Sequence, residues 1–396
     1  MENIDKQLNT VPTGKLGIIV HPSCAEIGDK IDRFIVNWRN QGNRALLCDN
    51  GARGYHRSTY IVKSMCARFG TGEAKALIEE SVRGMDLYII ADVLNHSLEY
   101  DICGQKNRMS PDDIYSDIKR FIMAAAGKAL RITVVMPFLY ESRQHRRNAR
   151  ESLDCAYALQ ELIGMGVDDI ITFDAHDPRI QNAIPIKGFD NIMPTYQMVK
   201  TLLQSTPDLQ IDNEHLMAIS PDEGAMHRAI YFASVLGIDV GMFYKRRDYS
   251  RVADGRNPIV AHEFLGADVK GKDVIVIDDM ISSGESVIDI AKELKSRQAQ
   301  RIFCISTFGI FAKGLGVFDD AYEKGLITKV ITTNGIYQMP ELFSRPWYES
   351  CDISKYIARI IDSLNHDMPI SDIIGHYEKI QKRLSQYKEM QALDEI

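Results

Sequence analysis

Residues 274–287 read VIVIDDMISSGESV, a run of aliphatic residues that leads straight into two adjacent carboxylates, Asp278 and Asp279. Small, hydroxyl-bearing and acidic residues follow at once: Ser282, Ser283, Gly284, Glu285 and Ser286. Small residues after a buried parallel strand let the backbone N–H groups and the next helix N-terminus surround an anion. The carboxylates suit the hydroxyl groups of a sugar or a metal ion beside it. The segment therefore predicts a sugar-phosphate site, and the alternative is a plain turn with a serine-rich helix start.

A second segment, YESRQHRR at 140–147, concentrates positive charge after a predicted strand. Its arginines are Arg143, Arg146 and Arg147. Arginine can grip phosphate oxygens with two parallel hydrogen bonds, so the segment suits a polyphosphate. The alternative interpretation is a solvated basic loop.

Two further segments carry single groups of interest. FDAHDP, at 173–178, puts Asp174 and His176 just beyond another predicted strand, where a histidine is most often structural. YKRRD, at 244–248, supplies Lys245 and Arg247, alternate residues whose side chains share a direction if the chain is extended. Without further information, such a pair fits a charged strand end.

The elements that must position these groups alternate between strand and helix. Continuous apolar runs typical of strands buried on both faces are KLGIIV, ALLCD, DLYIIADV, RITVVMPF, DIITFD, LMAIS, DVGMFY, DVIVIDDM, RIFCISTF and KVITTN. Amphipathic segments such as ESVIDIAKELKSRQA and RESLDCAYALQELIGMG lie between them. This alternation predicts an α/β protein with doubly wound parallel sheets.

The chain also repeats itself. GMDLYIIADV at 84–93 matches GKDVIVIDDM at 271–280, and two later pairs of strands match in the same order. We therefore predict two copies of one α/β unit. Only the second copy keeps the serine-glycine loop, since VLNHSLEYD follows Asp92 in the first.

Composition limits the class of protein. The chain has 396 residues, of which 45% are hydrophobic and 26% charged, with a net charge of −7. The acidic balance argues against nucleic-acid binding, and no apolar run is long enough to span a membrane. The N-terminal segment has no apolar signal core, so we expect a cytoplasmic protein. The seven scattered cysteines predict reduced thiols.

The segments described above give the chain a resemblance to a known family. The loop at 274–287 is similar to the phosphoribosyl-pyrophosphate loop of type I phosphoribosyltransferases and of ribose-phosphate pyrophosphokinases. Over roughly residues 73–374, the order of segments resembles the pyrophosphokinases: SVRGMDLYII, MPFLYESRQHRR, DDIITFDAHDPRIQ, ISPDEGAMHRA, FYKRRD, VIVIDDMISSGES and STFGIF. The resemblance implies two tandem phosphoribosyltransferase-like domains, the N-terminal copy degenerate.

The resemblance assigns roles residue by residue. It implies that Arg143 and Gln144 contact ATP, and that His176 and Asp222 hold Mg²⁺ on the ATP phosphates. It implies that Lys245 and Arg247 are catalytic and close over the reacting phosphates. The loop from Ser282 to Ser286, with Asp278 and Asp279, would bind ribose 5-phosphate.

A loop at 68–73, RFGTGE, corresponds to a family loop that reaches the adenine of ATP on a neighbouring subunit. Phe69, Thr71 and Glu73 are its candidate ATP contacts, and they imply a homo-oligomer built from dimers, with a hexamer as one option. Thr71 departs from the family pattern, as do His145 in the basic segment and Glu285 in the sugar-phosphate loop.

We therefore expect a diphosphate-transferring enzyme that makes phosphoribosyl pyrophosphate and AMP from MgATP and ribose 5-phosphate. Two alternatives stay open: a phosphoribosyltransferase, and a silent regulatory homologue of the pyrophosphokinases.

The expected domains are 1–188, on the ATP side, and 189–374, with the ribose 5-phosphate loop. Residues 375–396 form an added C-terminal helix, for which Ile373, Tyr377, Ile380, Leu384 and Tyr387 predict an apolar stripe. Docking of this helix on its own subunit is favoured over a new subunit contact.

Overall fold

The computed structural model describes residues 11–40, 55–147, 149–247, 259–375 and 377–394, with only the backbone described for 245–247, 259–262 and 393–394. These residues divide into two compact units. The first contains the described residues of Met1–Met193, Asn334–Tyr337 and Asp352–Gly375, and the second those of Pro194–Thr333, Gln338–Cys351 and His376–Ile396. The domain boundaries given above from the sequence stay a prediction.

The first unit is built on a five-stranded parallel sheet of order β1-β4-β7-β8-β9. Two antiparallel hairpins, β2–β3 and β5–β6, stand outside this sheet. The strands are β1 (Lys15–Val20), β2 (Ser64–Arg68), β3 (Ala74–Ile78), β4 (Met85–Ile90), β5 (Glu99–Ile102), β6 (Gln105–Arg108), β7 (Arg131–Val135), β8 (Asp169–Phe173) and β9 (Gly188–Ile192). Its first helices are α1 (Ala25–Asn40), α2 (Pro111–Ala125) and α3 (Asp154–Gly164).

The second unit is built on a seven-stranded sheet of order β12-β11-β10-β13-β14-β15-β16, parallel except for the β11–β12 pair. Its strands are β10 (Leu216–Ser220), β11 (Asp239–Arg247), β12 (Ile259–Leu265), β13 (Asp273–Ile281), β14 (Ile302–Gly309), β15 (Lys329–Thr333) and β16 (Tyr348–Cys351). Its first helices are α4 (Thr195–Ser205), α5 (Met226–Leu236), α6 (Glu285–Ser296) and α7 (Gly316–Glu323). Aliphatic residues of β10, β13 and β14 and one face of α6 form its core.

The internal repeat predicted from the sequence is confirmed by the order of the strands. In the first sheet β1, β4, β7, β8 and β9 follow one another, and in the second β10, β13, β14, β15 and β16 occupy the same places. The three pairs of similar segments therefore lie at equivalent positions, which confirms two tandem α/β domains. The second copy adds the antiparallel edge formed by β11 and β12.

Two helices belong to a unit other than the one that their position in the chain suggests. Helix α4 follows β9 of the first sheet, but it belongs to the second unit and packs on β15 and β16. Helix α8 (Ser354–Asn365) follows β16 of the second sheet, but it belongs to the first unit and packs on α1.

The chain ends in α9 (Ser371–Ile374) and α10 (Tyr377–Asp394), the C-terminal helix expected from the sequence. Helix α10 packs on α4 and α5, which confirms docking on its own chain. Ile380, Leu384 and Tyr387 are buried, whereas Tyr377 is 60% exposed. The predicted stripe is thus wrong at its N-terminal end, because Ile373 lies on the separate helix α9 and Tyr377 faces outward.

Nine of the ten predicted strand segments overlap observed strands, and the tenth, ALLCD, lies outside the described residues. Seven of the observed strands were not predicted: β2, β3, β5, β6, β9, β12 and β16. Among them, β9 and β16 are short strands of the two main sheets that carry polar residues. The six cysteines that the structure describes are free thiols. None of the described helices is long and apolar enough to cross a membrane.

Candidate active site

The serine-glycine loop lies where the sequence placed it, between a buried strand and a helix. Strand β13 ends at Ile281 and helix α6 begins at Glu285, with Gly284 in the left-handed region at φ 85°. Ser282 and Ser283 are half-buried and Ser286 is exposed. The first N–H groups of a helix have no partner within it, so this turn offers hydrogen-bond donors and a positive dipole end to an anion.

Gly284 is required here for two reasons. Its positive φ disfavours any residue with a Cβ atom, and a Cβ built on it would lie 2.3 Å from Cε2 of Phe318. Phe318 is fully buried and stacks on Trp347 at a centroid distance of 5.3 Å, so a shift of its ring would disturb other packed side chains.

The two carboxylates stand at the end of β13. The Asp279 backbone N–H donates to Oδ1 of Asp278 over 2.9 Å, and Asp279 itself is 3% exposed. Arg228 of α5, also buried, brings Nη2 to 3.9 Å from Oδ2 of Asp279. Burial first, and then the negative charges of Asp279 and Asp222, raise the pKa of Asp278 well above its usual range. A cation or a set of hydroxyl donors would relieve this repulsion.

Asp222 lies in the same unit, in the turn between β10 and α5. Its Oδ1 accepts hydrogen bonds from the N–H groups of Gly224, at 3.0 Å, and Ala225, at 3.3 Å. These bonds fix the carboxylate at the carboxyl end of the parallel strands, where it contributes to the raised pKa of Asp278. Within the described part of the chain, no three His, Cys, Asp or Glu side chains converge closely enough to hold a metal by themselves.

Glu285, the unexpected acid of the loop, has a partner that sequence reasoning missed. Its Oε1 lies 2.8 Å from Nζ of Lys313, and both side chains are 58% exposed. Lys313 belongs to the turn after β14, and nothing in its local sequence marks it for this role.

On the first unit, the basic segment follows β7. Arg143, Gln144, Arg146 and Arg147 are exposed there. Oγ of Ser142 accepts a hydrogen bond from the backbone N–H of His176 over 3.0 Å, which ties the basic segment to the turn after β8. The structure thus brings the predicted ATP residues Arg143 and Gln144 into the neighbourhood of His176.

His145 is a structural link within this group. Its Nε2 lies 3.5 Å from Oδ2 of Asp177, and its ring centroid lies 5.3 Å from that of His176. Burial lowers the pKa of His145. Hydrogen bonds from Arg179 are the main reason that the pKa of Asp177 is lowered. Asp177 was not predicted, although it stands beside His176 in the same motif.

A cavity of about 680 Å³ opens beside these residues. Three of its lining residues, Arg146, Arg147 and Arg179, carry positive charge, and one wall comes from helix α3. The cavity is large and basic enough for a phosphorylated ligand.

The predicted adenine loop is the turn of the β2–β3 hairpin. Phe69 is 51% exposed, and the hydroxyl of Thr71 donates to Oε2 of Glu73 over 2.9 Å. An exposed aromatic ring on a hairpin tip is free to contact a ligand held elsewhere. The hairpin itself packs on α2.

Lys245 and Arg247 lie on β11, whose backbone is extended as predicted. Their side chains, and the segment 248–258 that follows, lie outside the described residues. The catalytic role assigned to them stays a prediction.

The corresponding site of the first unit is closed by its own groups. Oδ1 of Asp92 accepts from the N–H of Leu94 at 2.9 Å, and its Oδ2 accepts from the N–H of Tyr337 at 2.6 Å. Burial raises the pKa of Asp92 to about 7. The side chain of Asn95 donates to the Ser23 carbonyl over 2.9 Å, so polar groups that follow β4 are engaged in hydrogen bonds within the unit.

Comparisons with known proteins identify both domains. Residues 19–166 match the N-terminal domain of ribose phosphate pyrophosphokinase, and residues 187–342 match the phosphoribosyl transferase domain. The fold and the loop thus define a protein of the phosphoribosyltransferase type with two tandem domains. A structure of phosphoribosylpyrophosphate synthetase from Mycobacterium smegmatis shares this fold, with a TM-score of 0.68, 20% identity and coverage of 89% of this chain and 99% of the other.

Among curated proteins, the ribose-phosphate pyrophosphokinase of Vibrio parahaemolyticus is 30% identical over 308 residues, which are 77% of this chain and 88% of that protein. The enzyme of the same name from Shewanella oneidensis is 28% identical over 316 residues, or 79% and 91% of the two chains. The chain belongs to the ribose-phosphate pyrophosphokinase family.

Proposed function

We propose that this protein transfers the pyrophosphoryl group of ATP to the 1-hydroxyl of ribose 5-phosphate, which yields phosphoribosyl pyrophosphate and AMP. The observation that carries the proposal is the loop of Ser282–Gly284 at the start of α6, which follows the carboxylates of Asp278 and Asp279 after two further residues of β13. A loop suited to bind a phosphate, beside two acids suited to bind hydroxyl groups, fits a sugar phosphate.

The sugar phosphate would bind with its 5-phosphate against the N–H groups of the first turn of α6. The hydroxyls of Ser282, Ser283 and Ser286 would add donors, and Gly284 lets the backbone approach the phosphate closely. Asp278 and Asp279 would accept hydrogen bonds from the ribose hydroxyls, which orients the 1-hydroxyl as the attacking group.

Magnesium fits the donor chemistry of this site. Burial and then two neighbouring acids destabilise Asp278 as a carboxylate, and carboxylate oxygens are the ligands that Mg²⁺ prefers. By the family resemblance, His176 and Asp222 stay candidate ligands of the Mg²⁺ that accompanies ATP, with water and phosphate oxygens as its other ligands. The bound ion would neutralise charge on the phosphate oxygens.

ATP would be held by Arg143 and Gln144 of the exposed basic segment. Phe69, Thr71 and Glu73 would contact the adenine from a neighbouring subunit, which makes a homo-oligomer part of the proposal. Lys245 and Arg247 would stabilise the charge that spreads over the transferred group in the transition state. A cytoplasmic location stays a prediction.

The test is formation of AMP from ATP, measured with and without ribose 5-phosphate and Mg²⁺. We expect AMP to form only when both are present, with phosphoribosyl pyrophosphate in equal amount. A phosphoribosyltransferase would instead consume phosphoribosyl pyrophosphate when a nucleobase is supplied. Binding of both substrates without AMP formation would show a silent homologue.

The double variant Asp278→Asn/Asp279→Asn tests the sugar site. Loss of two charge-assisted hydrogen bonds, at about 1.5 kcal/mol or more each, should raise the Kd for ribose 5-phosphate about a hundredfold. The Kd for ATP should change far less. Isothermal titration measures both, with Asp289→Asn as control because Asp289 pairs with Lys292 on the exposed face of α6. Unchanged affinity for the sugar phosphate would remove these acids from the site.

A further inference from the structure

Glu285 places a negative charge on the residue that begins α6, beside the loop proposed to bind a phosphate. A carboxylate in a first helical turn interacts well with the helix dipole, but it also repels a phosphate bound to the same N–H groups. Its side chain is turned to Lys313, with 2.8 Å between Oε1 and Nζ.

The backbone of Lys313 is held firmly in position. The N–H of the preceding Ala312 donates to the carbonyl of Ser282 over 2.9 Å, and Gly314 N–H donates to Phe311 over 2.8 Å. The Phe311 ring packs on Phe318 at 5.1 Å between centroids, and Phe318 is the ring that lies against Gly284. The turn that carries Lys313 and the loop that carries Glu285 therefore form one packed assembly.

This assembly differs from an ordinary surface ion pair. Lys292 and Asp289, one turn further along α6, also lie 2.9 Å apart and are about equally exposed, but both belong to the same helix and stand away from the loop. Such pairs contribute little to stability. The Glu285–Lys313 pair instead joins two loops at the proposed phosphate site, so its loss should weaken substrate binding more than it lowers stability.

We propose that Lys313 is a positioning residue of the ribose 5-phosphate loop. Its ammonium group holds the Glu285 carboxylate away from the proposed phosphate site and neutralises its charge. The inference rests on the proposed function of this loop. It explains how a glutamate is accommodated at the start of the helix. Lys313 acts through Glu285 and does not itself bind the phosphate.

A double-mutant cycle tests this assignment. Lys313→Ala should raise the KM for ribose 5-phosphate about tenfold, since one uncompensated charge then faces the phosphate, while the KM for ATP changes less than about twofold. Lys313→Arg should restore the wild-type KM. In the Glu285→Gln background the same Lys313→Ala change should raise the KM by less than about twofold. The difference between the effects on KM in the two backgrounds should shrink in 0.5 M NaCl, because charges are then screened over roughly 4 Å.

The possible outcomes separate the alternatives. A tenfold rise in the KM for ribose 5-phosphate on Lys313→Ala in both the wild-type and the Glu285→Gln backgrounds would show that Lys313 binds the phosphate directly. An unchanged KM in the wild-type background would show that the pair has no role in binding. Either result overturns the proposal. Lys292→Ala is the matched control and should leave the KM within about twofold. Failure of the wild-type protein to bind ribose 5-phosphate in calorimetry would instead refute the proposed function itself.

Discussion

At the scale of single residues, Gly284 joins the fold to the proposed chemistry. With φ 85°, it lies in the turn between the end of β13 at Ile281 and the start of α6, and the missing side chain leaves room for Phe318. A phosphate bound at this turn would approach the same backbone from its other side. One glycine thus serves both a turn and a core contact within the loop that we propose to bind the phosphate.

Gly284→Ala should destabilise the protein by about 2–5 kcal/mol, because a left-handed φ costs about 1–2 kcal/mol and overpacking against Phe318 adds about 1–3 kcal/mol. The free energy of unfolding in urea measures this. Gly325→Ala is the matched control, since Gly325 has φ 65° but open space around its Cα atom. It should lose only the conformational part. Equal losses in both variants would show that Phe318 moves aside freely.

At the scale of elements, α10 shows how an added segment becomes part of a domain. Ile380 and Leu384 are buried against α4 and α5, and the Tyr387 hydroxyl donates to the carbonyls of Thr206, at 2.9 Å, and Leu209, at 3.1 Å. Gln381 donates to the Val235 carbonyl at 2.8 Å. The helix therefore closes the end of the second unit.

Ile380→Ala should lower the free energy of unfolding by about 2–5 kcal/mol, because Ile380 is fully buried and its removal leaves a cavity. Met390→Ala, on the same helix at a residue that is 64% exposed, should change it by less than about 0.5 kcal/mol. Stopping the chain after Gly375 should lower the melting temperature further, with ribose 5-phosphate still bound in calorimetry. If the truncated protein melted at the same temperature as the full-length protein, the packing of α10 described above would be contradicted.

At the scale of the whole molecule, each compact unit is assembled from distant parts of the chain. Arg39 of α1 is 1% exposed, and its Nε donates over 2.8 Å to Oδ1 of Asp362 on α8, which is 323 residues away. Its Nη2 also donates to Asn365 over 2.8 Å. The first unit is therefore completed only when the last quarter of the chain has been made.

Asp362→Asn should cost about 3–5 kcal/mol of stability, because it leaves the buried guanidinium of Arg39 without its counter-charge. Asp367→Asn is the control, since Asp367 pairs with Arg131 at 3.0 Å but is 65% exposed, and it should cost less than about 1 kcal/mol. Urea unfolding of the two variants gives the comparison. Similar small losses would mean that α8 contributes little to the first unit.

Much of this protein was determined by local sequence. Apolar runs buried on both faces predict the central strands, and their order predicts the repeat, because hydrophobic burial depends mainly on residue type. The loop after β13 could also be predicted from the local sequence, because glycine and serines between a strand and a helix have characteristic conformational preferences. The polar strands β9 and β16 were missed, since such short strands form through pairing with a neighbour and not through their own composition.

Only the tertiary structure decided which distant side chains meet. Lys313 reaches Glu285 across 28 residues, and Asp362 reaches Arg39 across 323, through contacts that no local pattern records. The same holds for α8, whose amphipathic pattern predicts a buried face but not the unit against which that face packs. Periodicity specifies which side of a helix avoids water, whereas the partner surface depends on how the complete chain packs.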